Sequence, residues 1–167
     1  MKKQFIQLSI ILLACSAATF AQTRQPATAS RPFIVKTKQQ VSDITVTLSK
    51  KPGNTNEDIL PAAGMQTRIA IFHDEKREND MHEVHDGADD IYYVTNGSAT
   101  LMMGGSLVDA AEISPGEWRA KTATGGQKVT IKKGDLVFVP RGTPHQRTAT
   151  DKKFTMILVK IFSQQQK

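Results

Sequence analysis

Between residues 66 and 162 the chain is a succession of short apolar runs: RIAIF (68–72), DIYYV (90–94), ATLMM (99–103), KVTI (128–131), DLVFV (135–139) and FTMILVKIF (154–162). They are separated by NG, GG, SPG, GG, KKG and PRGTP, all of them turn signals. Six or more short strands with that punctuation, and no helical period between them, restrict the segment to an all-β sandwich or barrel. Several runs are apolar on both parities, 154–162 above all. A strand apolar on both faces is covered on both faces. One face lines the barrel core; the other needs a second sheet, a partner subunit or a packed N-terminal segment. A homodimer is the expectation.

The first 21 residues have a different character. Lys2 and Lys3 precede the apolar run FIQLSIILLACSAATF, and Thr19 and Ala21 sit three and one residues before a cut after Ala21. A basic start, a short apolar stretch and small residues at the exit describe a secretory signal peptide. The run is too short for a transmembrane span. Cys15 is the only cysteine, and Leu12-Leu13-Ala14-Cys15 resembles a bacterial lipoprotein box, so a lipid anchor at Cys15 is the alternative. A cut after Ala21 leaves a mature chain without cysteine, which excludes disulfides, thiolate ligands and thiol nucleophiles. It also removes two lysines and no acid, lowering the formal charge of +6 to +4. That surplus forms no basic stripe with interleaved aromatics, so nucleic acid is not an expected partner. The location expected is periplasmic or secreted, in a bacterium.

Residues 22–65 read as a polar leader and N-terminal extension. QTRQPATASRP (22–32) is polar with two prolines. Within 33–53, Val41, Ile44 and Leu48 fit a helical face, while Ile44, Val46 and Leu48 fit strand alternation. The expectation is a short helix packed outside the main fold. Residues 66–162 form the barrel, and 163–167 are a polar tail.

Two segments concentrate polar chemistry. HEVHDGADDIYYVTNG (82–97) holds two histidines and four acids in its first nine positions. On a strand Glu83 and His85 face one way, as do Asp90, Tyr92 and Val94 on the next run. If that run returns beside the first, Glu83, His85 and Asp90 converge. GDLVFVPRGTPH (134–145) is the second segment, and the two together hold three of the four histidines.

These segments resemble the two motifs of the cupin superfamily, small β-barrels that carry a metal site. The second motif, G-x5-P-x-G-x2-H-x3-N, is matched by Gly134, Pro140, Gly142 and His145, with Ala149 where Asn is usual. The first, G-x5-H-x-H-x3-4-E-x6-G, is matched by His85 and Gly97. Glu83 stands where the first histidine is expected, Asp90 where the glutamate is, and Arg77 where the opening glycine is. The resemblance implies an all-β, single cupin (double-stranded β-helix, or jelly-roll) barrel with a short N-terminal extension. It also implies metal ligands at Glu83, His85, Asp90 and His145.

Two imidazoles and two carboxylates suit a divalent transition metal such as Fe, Mn, Ni or Zn. Asp is one methylene shorter than Glu, so Asp90 would reach the metal through a water. A bulge would swap His82 in for Glu83; without one, His82 faces the opposite side. His73 reads as a satisfied strand histidine. Tyr92 and Phe138 are core residues that also suit a ligand pocket. Trp118 and Arg119, in the 98–133 segment, belong either to a lid over an anionic or sugar-like ligand or to a surface hairpin. The function implied is an exported cupin binding a divalent metal and a small polar ligand, with oxygenase, isomerase or lyase chemistry. The alternative is a non-catalytic, metal-free module for a sugar-like molecule. No GxSxG elbow is present, which disfavours a serine hydrolase.

Overall fold

The computed structural model describes residues 25–29, 31–150 and 153–167. The signal peptide and Cys15 expectations lie outside the described residues. The chain divides into two units, Met1–Ile34 and Val35–Lys167. The described residues of the first carry no helix or strand and are exposed.

The second unit opens with α1 (Lys38–Ser49), started by a capping box in which Thr37 and Gln40 exchange side-chain and backbone bonds. It ends at Lys50, ahead of Pro52 and Gly53. Thirteen strands follow: β1 (Thr55–Leu60), β2 (Thr67–Asp74), β3 (His82–His85), β4 (Ala88–Asn96), β5 (Ser98–Met103), β6 (Ser106–Val108) and β7 (Ala111–Ser114). The rest are β8 (Glu117–Ala120), β9 (Thr122–Thr124), β10 (Gln127–Lys132), β11 (Leu136–Val139), β12 (His145–Thr148) and β13 (Phe154–Phe162). One sheet has the order β1-β2-β13-β4-β11, the other β10-β5-β12-β3-β8-β7, and β6 pairs with β9 apart from both. Every ladder between these strands is antiparallel.

The core joins residues of both sheets: Tyr92, Val94, Val139, Phe154, Met156 and Leu158 pack with Ala99, Leu101 and Ile131. Each large side chain buried there contributes about 1.5–3 kcal/mol. At Gly97, φ is +70°, and an added Cβ would lie 2.8 Å from the Lys153 backbone, so the β4–β5 turn accepts only glycine.

Both flanks of the 66–162 segment pair into the fold. The five-stranded sheet begins in the extension, because β1 pairs along β2. TNEDIL lacks apolar alternation, and an edge strand tolerates such a sequence since its outward side chains meet water. The tail is also pinned: Gln166 bridges Ala63 and exchanges backbone hydrogen bonds with Gly64 and Met65.

The apolar outer face of the five-stranded sheet is only partly covered. Ile71 and His73 point away from the core and are still buried, on the strand against which α1 packs. Further across, Ile91 and Tyr93 of β4 pair with Phe138 and Leu136 of β11, and Leu136 is 70% exposed.

Candidate metal and ligand site

Strand β3 carries Glu83 and His85 on its inward face, and β12 lies beside it with His145 directly opposite Glu83. The β11–β12 turn that delivers His145 is fastened at two points. The Gly142 N–H donates to the His85 carbonyl (2.8 Å), and the Asp89 carboxylate accepts from the Arg141 backbone N–H and both ends of its guanidinium. Gly142 holds φ +76°, the region where a side chain is strained. Asp90 and Tyr92 approach from the facing sheet, because β3 does not pair with β4. The polar groups therefore converge across the barrel rather than along one ladder.

One ligand atom from each of Glu83, His85 and His145 lies within 4.8 Å of the others. Asp90 Oδ2 stands 3.6 Å from His85 Nε2 and 3.9 Å from His145 Nε2. The two imidazoles meet edge to face, with centroids 5.1 Å apart. Each has its other nitrogen committed. His85 Nδ1 is 2.6 Å from Glu117 Oε2, and His145 Nδ1 is 2.9 Å from the Thr143 carbonyl. Both partners only accept, so each Nδ1 carries a proton, and a ring in its neutral form turns an Nε2 lone pair inward. A carboxylate or carbonyl behind each imidazole is the usual support of a metal-binding histidine.

Internal cations answer the carboxylates. Arg119 Nη2 lies 2.9 Å from Glu83 Oε2, and Lys160 Nζ lies 2.8 Å from Asp90 Oδ1. The Tyr92 hydroxyl donates to Asp90 Oδ2 (3.2 Å). Burial raises the Glu83 carboxyl, but with the imidazoles protonated the hydrogen bond and charge of His145, then the charges of His85 and Arg119, outweigh it and hold Glu83 at about 2. Burial, then the Lys160 charge, lowers His85 against the pull of Glu83, Asp90 and Glu117. Burial and neighbouring Asp90 push the Tyr92 hydroxyl well above its ordinary value, so it serves as a donor.

A cavity of about 350 Å³ opens beside the cluster, lined by Glu83, His85, Asp90, Tyr92 and Arg119 among others. Phe138 does not line it. It is 58% exposed on the outer face, because the register Val139↔Asp90 turns Val137 and Val139 inward instead. Trp118 does not line it either. It lies opposite Val84 on the other face of β8, with its indole N–H on Asp86 (2.7 Å). Strand β8 is a regular neighbour of β3 rather than a lid. His82 has the parity of Val84 and faces away from the cluster, and His73 is buried with Nδ1 3.1 Å from Thr155 Oγ1.

Sequence reasoning missed Glu117, Lys160 and Arg147. The signals were slight: Glu117 has the parity of Arg119, Lys160 is the one charge within an apolar run, and Arg147 follows His145 by two residues.

Two facing antiparallel sheets, with the first motif on β3–β4 and the second on β11–β12 aimed into the space between them, give this chain the cupin fold. Among solved structures it is similar to the BH2720 protein of Bacillus halodurans, with TM-score 0.53 and 15% identity over 81% of this chain and 84% of that one. DMSP lyase DddQ from Ruegeria pomeroyi DSS-3 matches with TM-score 0.48 and 16% identity, over 69% of this chain and 50% of its own. KdgF from Halomonas sp. also matches with TM-score 0.48 and 16% identity, over 68% and 84%. This chain thus spans half the length of the DddQ chain, and likeness at these identities concerns the fold alone. No protein-family model and no curated protein matches the sequence. Among the described residues, no helix is long and apolar enough to cross a membrane.

Proposed function

We propose that the chain is an exported cupin that holds a divalent transition metal at Glu83, His85 and His145, with Asp90 at the fourth position, and binds a small polar molecule in the adjoining cavity. The observation that carries this is that each histidine sets its Nδ1 against an acceptor, Glu117 for His85 and Thr143 for His145. With each Nδ1 proton spent on an acceptor, the neutral rings leave two Nε2 lone pairs and the Glu83 carboxylate facing one another, an arrangement that a cation relieves as well as a proton on Nε2 does. The donor set, two imidazoles with carboxylates, fits Fe, Mn, Ni or Zn. A metal bound there would polarise a ligand oxygen or activate water, the chemistry shared by oxygenases, isomerases and lyases of this kind. The chain's own residues do the rest: Glu117 and Thr143 orient the imidazoles, Lys160 and Tyr92 hold Asp90, and Arg119 holds Glu83.

The pairs Arg119–Glu83 and Lys160–Asp90 support a second reading, a metal-free binding module, because each carboxylate already has a cation. Elemental analysis of protein purified without chelator or affinity-tag metal separates the two. One divalent metal per chain, lost in H85A/H145A, is expected. Wild type that stays metal-free when offered Fe, Mn, Ni and Zn, and gains no thermal stability from them, sinks the first reading. A homodimer through the open face of β4 and β11 completes the proposal.

A further inference from the structure

Five cationic side chains line the cavity beside the cluster. Arg68, Arg77, Arg119, Arg147 and Lys160 line it, against the carboxylates of Glu83, Asp90 and Glu117. Asp58, Asp74 and Asp80 answer Arg68, Arg77 and Arg147 from outside the lining, Asp74 being shared by Arg77 and Arg147. Among these cations Arg147 is the most constrained, with a side chain only 9% exposed. Its Nε bonds Asp74 Oδ2 at 2.8 Å, and Asp74 is itself fully buried. Its guanidinium carbon lies 5.8, 5.9 and 5.6 Å from the ring centroids of Phe72, Tyr92 and Phe154. Those rings and the Asp74 bond fix the guanidinium plane.

The terminal nitrogens Nη1 and Nη2 are not spent in the same way. Nε is the one guanidinium atom that bonds a protein group among the described residues. A buried arginine, anchored at Nε and open at both ends of its fork, is built to receive a planar anion through two parallel N–H bonds. Arg147 follows His145 by two residues and shares its face, which places the two about 7 Å apart along the strand. Phe72, Met156 and Leu158, from the facing sheet, give the same cavity an apolar part.

We infer that the cavity's ligand is a small organic carboxylate, its carboxyl group clamped by Arg147 and its apolar body laid toward Glu83 and His85. This rests on the cavity being the ligand site and deepens it by naming the ligand's class. A neutral sugar would leave the Arg147 fork without an anionic partner and set hydroxyls against Met156 and Leu158.

The test pairs acids with their carboxamides: butyrate with butyramide, benzoate with benzamide, and glucose as a neutral polyol. Binding is followed by calorimetry and thermal shift, with metal-loaded and chelator-stripped protein, metal content being measured in each sample. At least one acid is expected to bind roughly tenfold or more tighter than its amide, a difference of about 1.4 kcal/mol or more. Arg147→Met should abolish that preference, and Arg147→Lys, which keeps a charge beside Asp74, should restore part of it. Arg77 remains on Asp74 in both variants (3.1 Å), and circular dichroism checks their fold. Equal binding of acid and amide, binding of glucose alone, or no acid bound at millimolar concentration overturns the inference. So does an acid preference that R147M leaves intact but metal removal abolishes. Acid preference in protein that never takes up metal leaves the inference standing and the metal proposal failed; metal uptake without acid preference does the reverse.

Discussion

His145 lies directly opposite Glu83 in the β3–β12 ladder, and its Nε2 stands 3.2 Å from Glu83 Oε1. Either a proton on Nε2 or a cation shared by both atoms holds them that close. The protein supplies the proton only by forming an imidazolium, because Nδ1 already donates to Thr143. Glu83→Gln removes the charge from this contact and leaves the shape. Metal affinity should fall by more than the roughly 10–100-fold that follows loss of an outer-shell partner. Chelator competition measures it, and an unchanged affinity would count against Glu83 as a ligand.

Glu117 tests the outer-shell role itself. Its carboxylate fixes the His85 tautomer from a strand that contributes no ligand atom to the cluster. Glu117→Gln should lower metal affinity by about 10–100-fold while the fold persists. The same titration, with circular dichroism as a check on folding, gives the answer. Loss of the fold instead would show Glu117 to be structural.

Much of this site was legible because strand parity and motif spacing are local. Glu83 and His85 two residues apart, and His145 after a Pro-Gly turn, need only the alternation of a strand to be aimed. What was not legible is register. DLVFV is apolar on both parities, so nothing in it says whether Phe138 or Val139 faces inward; the pairing of Val139 with Asp90 decides it. Glu117 and Lys160 come to the histidines from 32 and 75 residues along the chain, through ladders that no local pattern announces. β1 escaped notice because an edge strand carries little apolar signature.

Lys160→Met leaves the buried Asp90 carboxylate without its cation. Breaking a buried pair from one side costs about 3–5 kcal/mol, and that loss should appear in urea unfolding of the metal-free protein. A bound divalent ion replaces the lost charge, so added metal should raise the stability of the variant more than that of wild type. Equal gains in the two proteins would mean that Asp90 does not sense the metal.

Asp89 gives the pH dependence. Its hydrogen bonds from the Arg141 side chain and backbone hold its carboxyl at about 2, below the ordinary 3.8, against a small opposing effect of burial. A carboxyl lowered in the folded state contributes stability that is present above 3.8 and lost as pH falls through about 2. The pair is partly exposed, so the effect is modest and weaker in salt. Asp89→Asn should shallow that acid-range slope, leaving the share that the lowered Glu83 carboxyl contributes. By loosening the turn that carries His145, it should also weaken metal binding at neutral pH. Thermal melts from pH 2 to neutrality, with and without metal, read both effects.

The open outer face predicts the assembly state. Helix α1 packs on β1 and β2, and toward the β11 edge Ile91, Tyr93, Leu136 and Phe138 stand in adjacent pairs on the outer face, Tyr93, Leu136 and Phe138 exposed. Leu136 and Phe138 take no part in the core and are exposed side by side on the outer face. Two copies meeting about a twofold axis would cover the same residues on each, every large side chain adding about 1.5–3 kcal/mol once buried. Light scattering should therefore give twice the chain mass for wild type. Leu136→Asp/Phe138→Asp should give the single mass with an unchanged circular dichroism spectrum, because both side chains already point to water in the isolated chain. A wild type that remains monomeric at high concentration would leave this face to another partner.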